Sequence, residues 1–201
     1  MKIKKENRVL LLSMILGDGY LSKDGYIKIR HCEKQLEYLE WKKKLIRHNG
    51  FKTTDSYMKD NNGFVSYEIT TKTYKFLKLY RRVFYQPKKN ILKLKFLNKL
   101  TPLHLAIWYM DDGSLSRRKL KNNTYSIRQL FIHTGLNKED NMFLVEFFKL
   151  KWNINFYVSH DKKDTYRLCC GQNEAKKFIK IIEKYVSEIK CMLYKIDVNS
   201  Y

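Results

Sequence analysis

Apolar and polar positions along this chain follow two periods, and their order recurs. Leu11, Leu12, Met14, Ile15 and Leu16 are apolar nearly all round and predict a buried helix over Leu11–Gly19. Tyr26–His31 (YIKIRH) alternates as a strand does, and Leu36–Asn49 returns to helical spacing before Gly50. Phe51–Tyr57 and Phe64–Thr71 flank a polar turn, Asp60-Asn61-Asn62-Gly63, and predict a hairpin. An amphipathic Lys-rich helix is expected over Thr73–Phe84.

The second half repeats this order. It has an apolar helix over Leu105–Met110, a strand over Ser126–Thr134 and a helix over Glu139–Trp152. A hairpin follows, with strands Asn155–His160 and Thr165–Cys170 around the turn Asp161–Asp164, then a helix over Glu174–Ile189. The connector lies near Lys93–Leu100 and ends at Thr101-Pro102, a good N-cap with proline in the first helical position. The expected fold is α+β, with pseudo-symmetric halves at 1–97 and 98–201. Each half alone would bury little surface, and two halves meeting through apolar helices bury more.

Charge adds a partner. Among 201 residues, Lys and Arg number 41 against 20 Asp and Glu, a formal net charge of +21. The excess is spread: residues 1–97 hold 23 cations against 9 acids and residues 98–201 hold 18 against 11. Such a field attracts a polyanion, and nucleic acid suits it better than a membrane surface, which calls for one local basic cluster. No run approaches the ~18 apolar residues of a membrane span, and the apolar run Val9–Leu12 is too short for a secretory signal. The protein is therefore expected inside the cell (bacterial or phage cytoplasm, or organelle matrix) and not secreted. Cys32, Cys169, Cys170 and Cys191 form no C-x-x-C pair and read as reduced apolar side chains.

The two apolar helices carry the chemistry. LLSMILGDGYLS at 11–22 and LAIWYMDDGSLS at 105–116 each run from an apolar stretch into an acid and a glycine, placing Asp18 and Asp112 in the same frame. Ser13 and Gly17 are small and four apart, so another backbone can approach that face. Gly19 and Gly113 are expected to end their helices in the left-handed conformation. A carboxylate at a helix C-terminus meets the negative end of the dipole, so two such helices side by side call for a cation. Carboxylates, backbone carbonyls and water make a hard-oxygen set suited to Mg²⁺, which assists phosphodiester hydrolysis.

LLSMILGDG and LAIWYMDDG resemble the two copies of the nonapeptide of the LAGLIDADG homing endonucleases, and the whole chain resembles their single-chain, two-motif branch. The resemblance implies two αββαββα units with the motif helices at the interface and two four-stranded antiparallel sheets forming a saddle over DNA. It implies metal-binding catalytic acids at Asp18 and Asp112, with the backbone carbonyls of Gly17 and Asp111 completing the metal shell. It implies metal-dependent cleavage of both strands of a long, specific site across the minor groove, with staggered ends, in Mg²⁺ or Mn²⁺. A monomer is expected. Ile107 and Asp111 depart from the small residues of the consensus, so helix packing is expected to be asymmetric. Asp111 is either a third carboxylate near the metals or, the reading preferred here, turned outward into solvent. A basic residue near each centre is expected at Lys89 and Lys195, with Gln35 and Gln129 as weaker candidates.

A sheet in the major groove reads bases with alternate side chains. Lys28 and Arg30 are expected to face DNA, with Arg128 and Arg167 analogous in the second half and Lys59, Asn61, Asn62, Lys162 and Lys163 at the hairpin tips. The register of Ser126–Ile132 is ambiguous because apolar residues fall on both faces. The alternative activity is an RNA-binding maturase aiding splicing of a host group I intron, with that RNA as a second partner. Many phosphate contacts imply a steep salt dependence: affinity for duplex DNA, measured by fluorescence anisotropy, is expected to fall by about one power of salt concentration per phosphate neutralised.

Overall fold

The computed structural model describes residues 4, 6–61, 63–85, 97–162 and 165–198, apart from the side chains at 61 and 83. The first half runs α1 (Arg8–Leu16), β1 (Tyr20–Leu21), β2 (Ile27–Cys32), α2 (Leu36–His48), β3 (Tyr57–Asn61), β4 (Phe64–Thr70) and α3 (Lys75–Phe84). The second runs α4 (Pro102–Asp112), β5 (Gly113–Lys119), β6 (Tyr125–Leu136), α5 (Lys138–Trp152), β7 (Tyr157–His160), β8 (Tyr166–Gly171) and α6 (Gln172–Val186). Each half forms one four-stranded antiparallel sheet, in the orders β1-β2-β4-β3 and β5-β6-β8-β7. The α+β repeat expected from the sequence is present.

α1 and α4 pack against each other at the centre. Every residue from Val9 to Leu16 is buried, as is every residue from His104 to Met110. Helices so apolar are stable only when covered on most sides; here α1 and α4 cover each other, and α6, β5 and β6 also cover α4. Thr101 caps α4 with Pro102 following, and Asn137 caps α5 by accepting from the Asp140 amide at 2.8 Å. Gly50 follows α2 with φ of 84°, and Asn153 ends α5 in the left-handed region.

Several elements differ from the pattern-based expectation. The first hairpin is shifted: Asp60 and Asn61 belong to β3, and the Asp60 carboxylate accepts the Gly63 amide at 2.8 Å. Of Phe51–Ser56, only Thr53 makes a β-bridge, to Thr71. β6 carries a bulge: Ser116 pairs with Gln129 and Arg117 with Ile127, leaving Arg128 without a partner position. That extra residue breaks the period of two and explains the ambiguous alternation.

Gly19 and Gly113 do not adopt positive φ. Both are excluded from bearing a side chain by crowding instead. A Cβ on Gly19 would lie 2.5 Å from the Met14 carbonyl oxygen, and one on Gly113 would strike the Tyr109 ring. Gly19→Ala is therefore expected to destabilise by about 1–3 kcal/mol through forced backbone movement, read as a lower urea midpoint at unchanged m-value.

Candidate active site

The two motif helices end differently. α1 stops at Leu16, Gly17 turns the chain away, and the Gly19 amide donates back to the Met14 carbonyl at 2.8 Å. Asp18 thus lies just past the helix with its side chain 44% exposed. α4 continues through Asp112, so Asp111 and Asp112 occupy its last turn.

That extra length turns the Asp111 side chain inward. It is fully buried, against the expectation that it would face solvent. Its Oδ2 accepts the Asp18 amide at 3.2 Å, and its Oδ1 accepts from the Lys42 ammonium at 2.6 Å and from the Tyr38 hydroxyl at 2.9 Å. The physical reason is Lys42, itself wholly buried on α2. An unpaired buried ammonium is costly, and Asp111 supplies its counter-charge. A Cβ on Gly17 would collide with the Asp111 carboxylate, so the expected close approach at Gly17 is met by a side chain of the partner helix.

Lys42 also lies 3.0 Å from His31 Nε2 and 4.2 Å from the centre of the Tyr38 ring. Burial, reinforced by Lys42, pushes the His31 imidazole down to about 3, so the ring is neutral near pH 7. Nε2 accepts from Lys42, which leaves the proton on Nδ1. Nδ1 donates to Gln35 Oε1 at 3.2 Å and lies 3.8 Å from Asp18 Oδ2. A polar chain therefore runs from Asp111 through Lys42 and His31 towards Asp18.

Lys195 enters from the far end of the sequence. Its ammonium donates to the Gly113 carbonyl at 2.6 Å, and the short 3-10 helix bearing it is held by Arg117, which donates to the Tyr194 carbonyl at 2.6 Å. Tyr109 donates to the Lys195 carbonyl at 2.8 Å. Burial lowers the Lys195 pKa, while the charges of Asp111, Asp18 and Asp112 oppose that shift. Burial, followed by the charge of Asp111, raises the Asp18 carboxyl above its ordinary range, against the pull of Lys42 and Lys195. The three carboxylates thus share one electrostatic environment at the ends of α1 and α4.

Lys89, Asn62 and Lys163 lie outside the described residues. Gln35 borders the site and also donates to the Tyr194 hydroxyl at 3.3 Å, whereas Gln129 lies on the second sheet and donates to Tyr157. Lys28, Arg30 and Lys59 share the exposed face of the first sheet, and the Asn61 backbone pairs with Phe64 at the hairpin end. Lys162 is exposed in the β7–β8 turn, and Arg128 is the bulge residue. Arg167 lies over the Phe131 ring at 4.3 Å, with Asp161 at 3.7 Å. Register makes Phe131 and His133, rather than Arg128 and Arg167, the counterparts of Lys28 and Arg30: Tyr20 pairs with Lys28, and Ser114, likewise two residues past its motif acid, pairs with Phe131.

His31, Lys42 and Tyr38 were not singled out from the sequence. The available signal was spacing, since Tyr38, Lys42 and Ile46 form one buried stripe and a lysine there demands an acid.

The paired sheets over two central helices are the fold of a solved structure of the homing endonuclease I-WcaI bound to its DNA recognition sequence. That match has a TM-score of 0.76 at 24% identity and covers 99% of this chain and 89% of that one. Variants of the homing endonuclease I-DmoI match with a TM-score of 0.52 at 14% identity, covering 89% and 96%. The family model for LAGLIDADG DNA endonucleases matches residues 8–178, and the chain belongs to that family. A probable intron-encoded endonuclease 1 from Wickerhamomyces canadensis is 26% identical over 213 residues, spanning 98% of this chain and 85% of its own length. A RecA protein from Mycobacterium shimoidei is 35% identical over 115 residues, which cover 54% of this chain but only 26% of that protein.

The Lys42–Asp111 pair generates a stability prediction. Lys42→Met alone strands a buried carboxylate and is expected to cost about 3–5 kcal/mol. Adding Asp111→Gly, which copies Gly17, removes the stranded charge and should recover most of that loss in urea unfolding.

Proposed function

We propose that this protein is a site-specific, divalent-metal-dependent DNA endonuclease that cuts both strands across the minor groove and leaves staggered ends. The observation that carries this reading is the Asp111 carboxylate holding the Asp18 amide where two buried helices end, with Asp112 next to Asp111 in the last turn of α4, within a chain of net charge +21. A duplex is drawn to the basic surface, and the acids hold the cation that phosphodiester hydrolysis needs.

The residues present fit a hard cation. The Asp18 carboxyl is raised first by burial and then by the charge of Asp111, with Lys42 and Lys195 opposing, and a bound cation would stabilise its ionised form. One atom each from Asp18, His31 and Asp111 lies within 4.8 Å of the others. Asp111 is already engaged by Lys42 and Tyr38, and His31 Nδ1 carries a proton, so the Asp18 and Asp112 carboxylates are the side chains assigned to the metal, with the Gly17 and Asp111 carbonyls. Mg²⁺ suits these oxygens, and Mn²⁺ can replace it. The bound ion supplies Lewis acidity to water and to the scissile phosphate.

The chain's own groups supply position and charge. Asp111 fixes the Asp18 backbone through the Asp18 amide, and His31 faces the Asp18 carboxylate. Lys195, pinned at Gly113, places a cation where phosphate charge builds up, and Lys89 is assigned the same role at the other centre. Lys28, Arg30, Lys59, Arg128, Lys162 and Arg167 are assigned to DNA contact.

Purified protein should linearise one member of a plasmid library in Mg²⁺ and leave it intact in excess EDTA. Asp18→Asn and Asp112→Asn should each slow cutting on the order of 100-fold or more while retaining binding in Ca²⁺. Wild-type cutting rates in both variants would overturn the assignment of the acids.

A further inference from the structure

The exposed face of the first sheet is built around one acid. Cross-strand pairing puts Lys28 and Arg30 of β2, Glu68 of β4, and Tyr57 and Lys59 of β3 on that face. Such a face would be expected to carry its charges into solvent, yet the Glu68 side chain has no exposed surface. Four groups cover it. Arg30 donates Nε and Nη2 to Oε2 at 3.1 and 2.6 Å, and the Tyr57 hydroxyl donates to Oε1. The Lys28 and Lys59 ammonium groups stand off at 3.4 and 3.6 Å. Burial disfavours the Glu68 carboxylate, but the Tyr57 and Arg30 hydrogen bonds and the two lysines outweigh it and hold its pKa below the usual range.

The geometry of Arg30 is specific. A guanidinium has five N–H donors in a planar fork. Glu68 takes the edge formed by Nε and one Nη2 hydrogen. The opposite edge, with Nη1 and the second Nη2 hydrogen, points away from the carboxylate, and the side chain is 42% exposed. Two parallel donors held on a sheet face match the O6 and N7 acceptors of guanine in the major groove. Lys28 and Lys59 are single-point donors without that directionality. The second sheet lacks this arrangement: register puts His133 at the place of Arg30 and Arg167 at the place of Glu68, and their acid, Asp161, sits outside the strands.

Resting on the reading of this chain as a DNA endonuclease, we propose that Arg30 reads one guanine in the target and that Glu68 is the positioning residue that aims it. Glu68 also restrains nonspecific attraction. It neutralises one of three clustered cations and keeps Arg30 from swinging to a phosphate. Affinity and specificity should therefore move in opposite directions when its charge is removed, which loss of structure alone would not produce.

The test is selection from a randomised duplex pool with full-length protein, in Ca²⁺, for the wild type, Arg30→Lys and Glu68→Gln, with affinity for a random duplex measured alongside. The wild type should enrich guanine at a base pair where Arg30→Lys loses roughly 10- to 100-fold of discrimination. The rest of the Arg30→Lys profile should persist, which shows that the variant is folded. Glu68→Gln should weaken guanine preference at the same base pair and bind random duplex more tightly. An Arg30→Lys profile identical to wild type overturns the proposal, as does Glu68→Gln that leaves guanine preference intact or loses affinity and preference together at every position. A wild type that selects no site at all overturns the endonuclease reading as well; selection without an Arg30-dependent guanine overturns only this inference.

Discussion

The closeness of α1 and α4 at Gly17 is the constraint on which the site depends. The Asp111 carboxylate occupies the space that a side chain at Gly17 would fill, and from there it holds the Asp18 amide. The same carboxylate neutralises Lys42, which in turn sets the tautomer of His31. One buried charge pair thus connects the helix interface to the exposed acid. Its role is positional: a buried ion pair is weak evidence for stability and better evidence for a fixed register between elements.

Rigid elements surround the acids. The motif helices are buried along their length, and Lys195 is anchored through Gly113, Tyr109 and Arg117 although it lies 82 residues from Gly113 in sequence. A site on such supports keeps its geometry better than one carried on loops. Charge is organised at two scales. The overall surplus is long-ranged and indifferent to sequence, while buried acids such as Asp111 and Glu68 fix particular cations in place.

The sequence made the repeat legible because its signals were redundant. Two apolar helices, two acid–glycine endings and matched strand and helix periods all pointed to the same doubling. What was missed was local or non-local for physical reasons. β1 has only two residues, too few to show a period. The bulge at Arg128 reverses the alternation on which strand faces are read, so spacing alone does not pick out the second-sheet counterparts of Lys28 and Arg30. Position at the end of an apolar run marks Gly19 and Gly113 as conformational terminators, whereas crowding by Met14 and Tyr109 explains them. Lys42 was hidden by abundance: among 41 Lys and Arg, a single buried lysine is visible only as part of the Tyr38–Lys42–Ile46 stripe. Asp111 was turned the wrong way because its partner lies 69 residues away.

The inequality of Gly17 and Asp111 makes the two halves non-interchangeable. Two copies of the first half, paired as a homodimer, would set Gly17 against Gly17 and leave a Lys42 in each subunit with no acid. Two copies of the second would press Asp111 against Asp111. The ion pair therefore requires unlike halves to face each other, and neither half could form it against a second copy of itself.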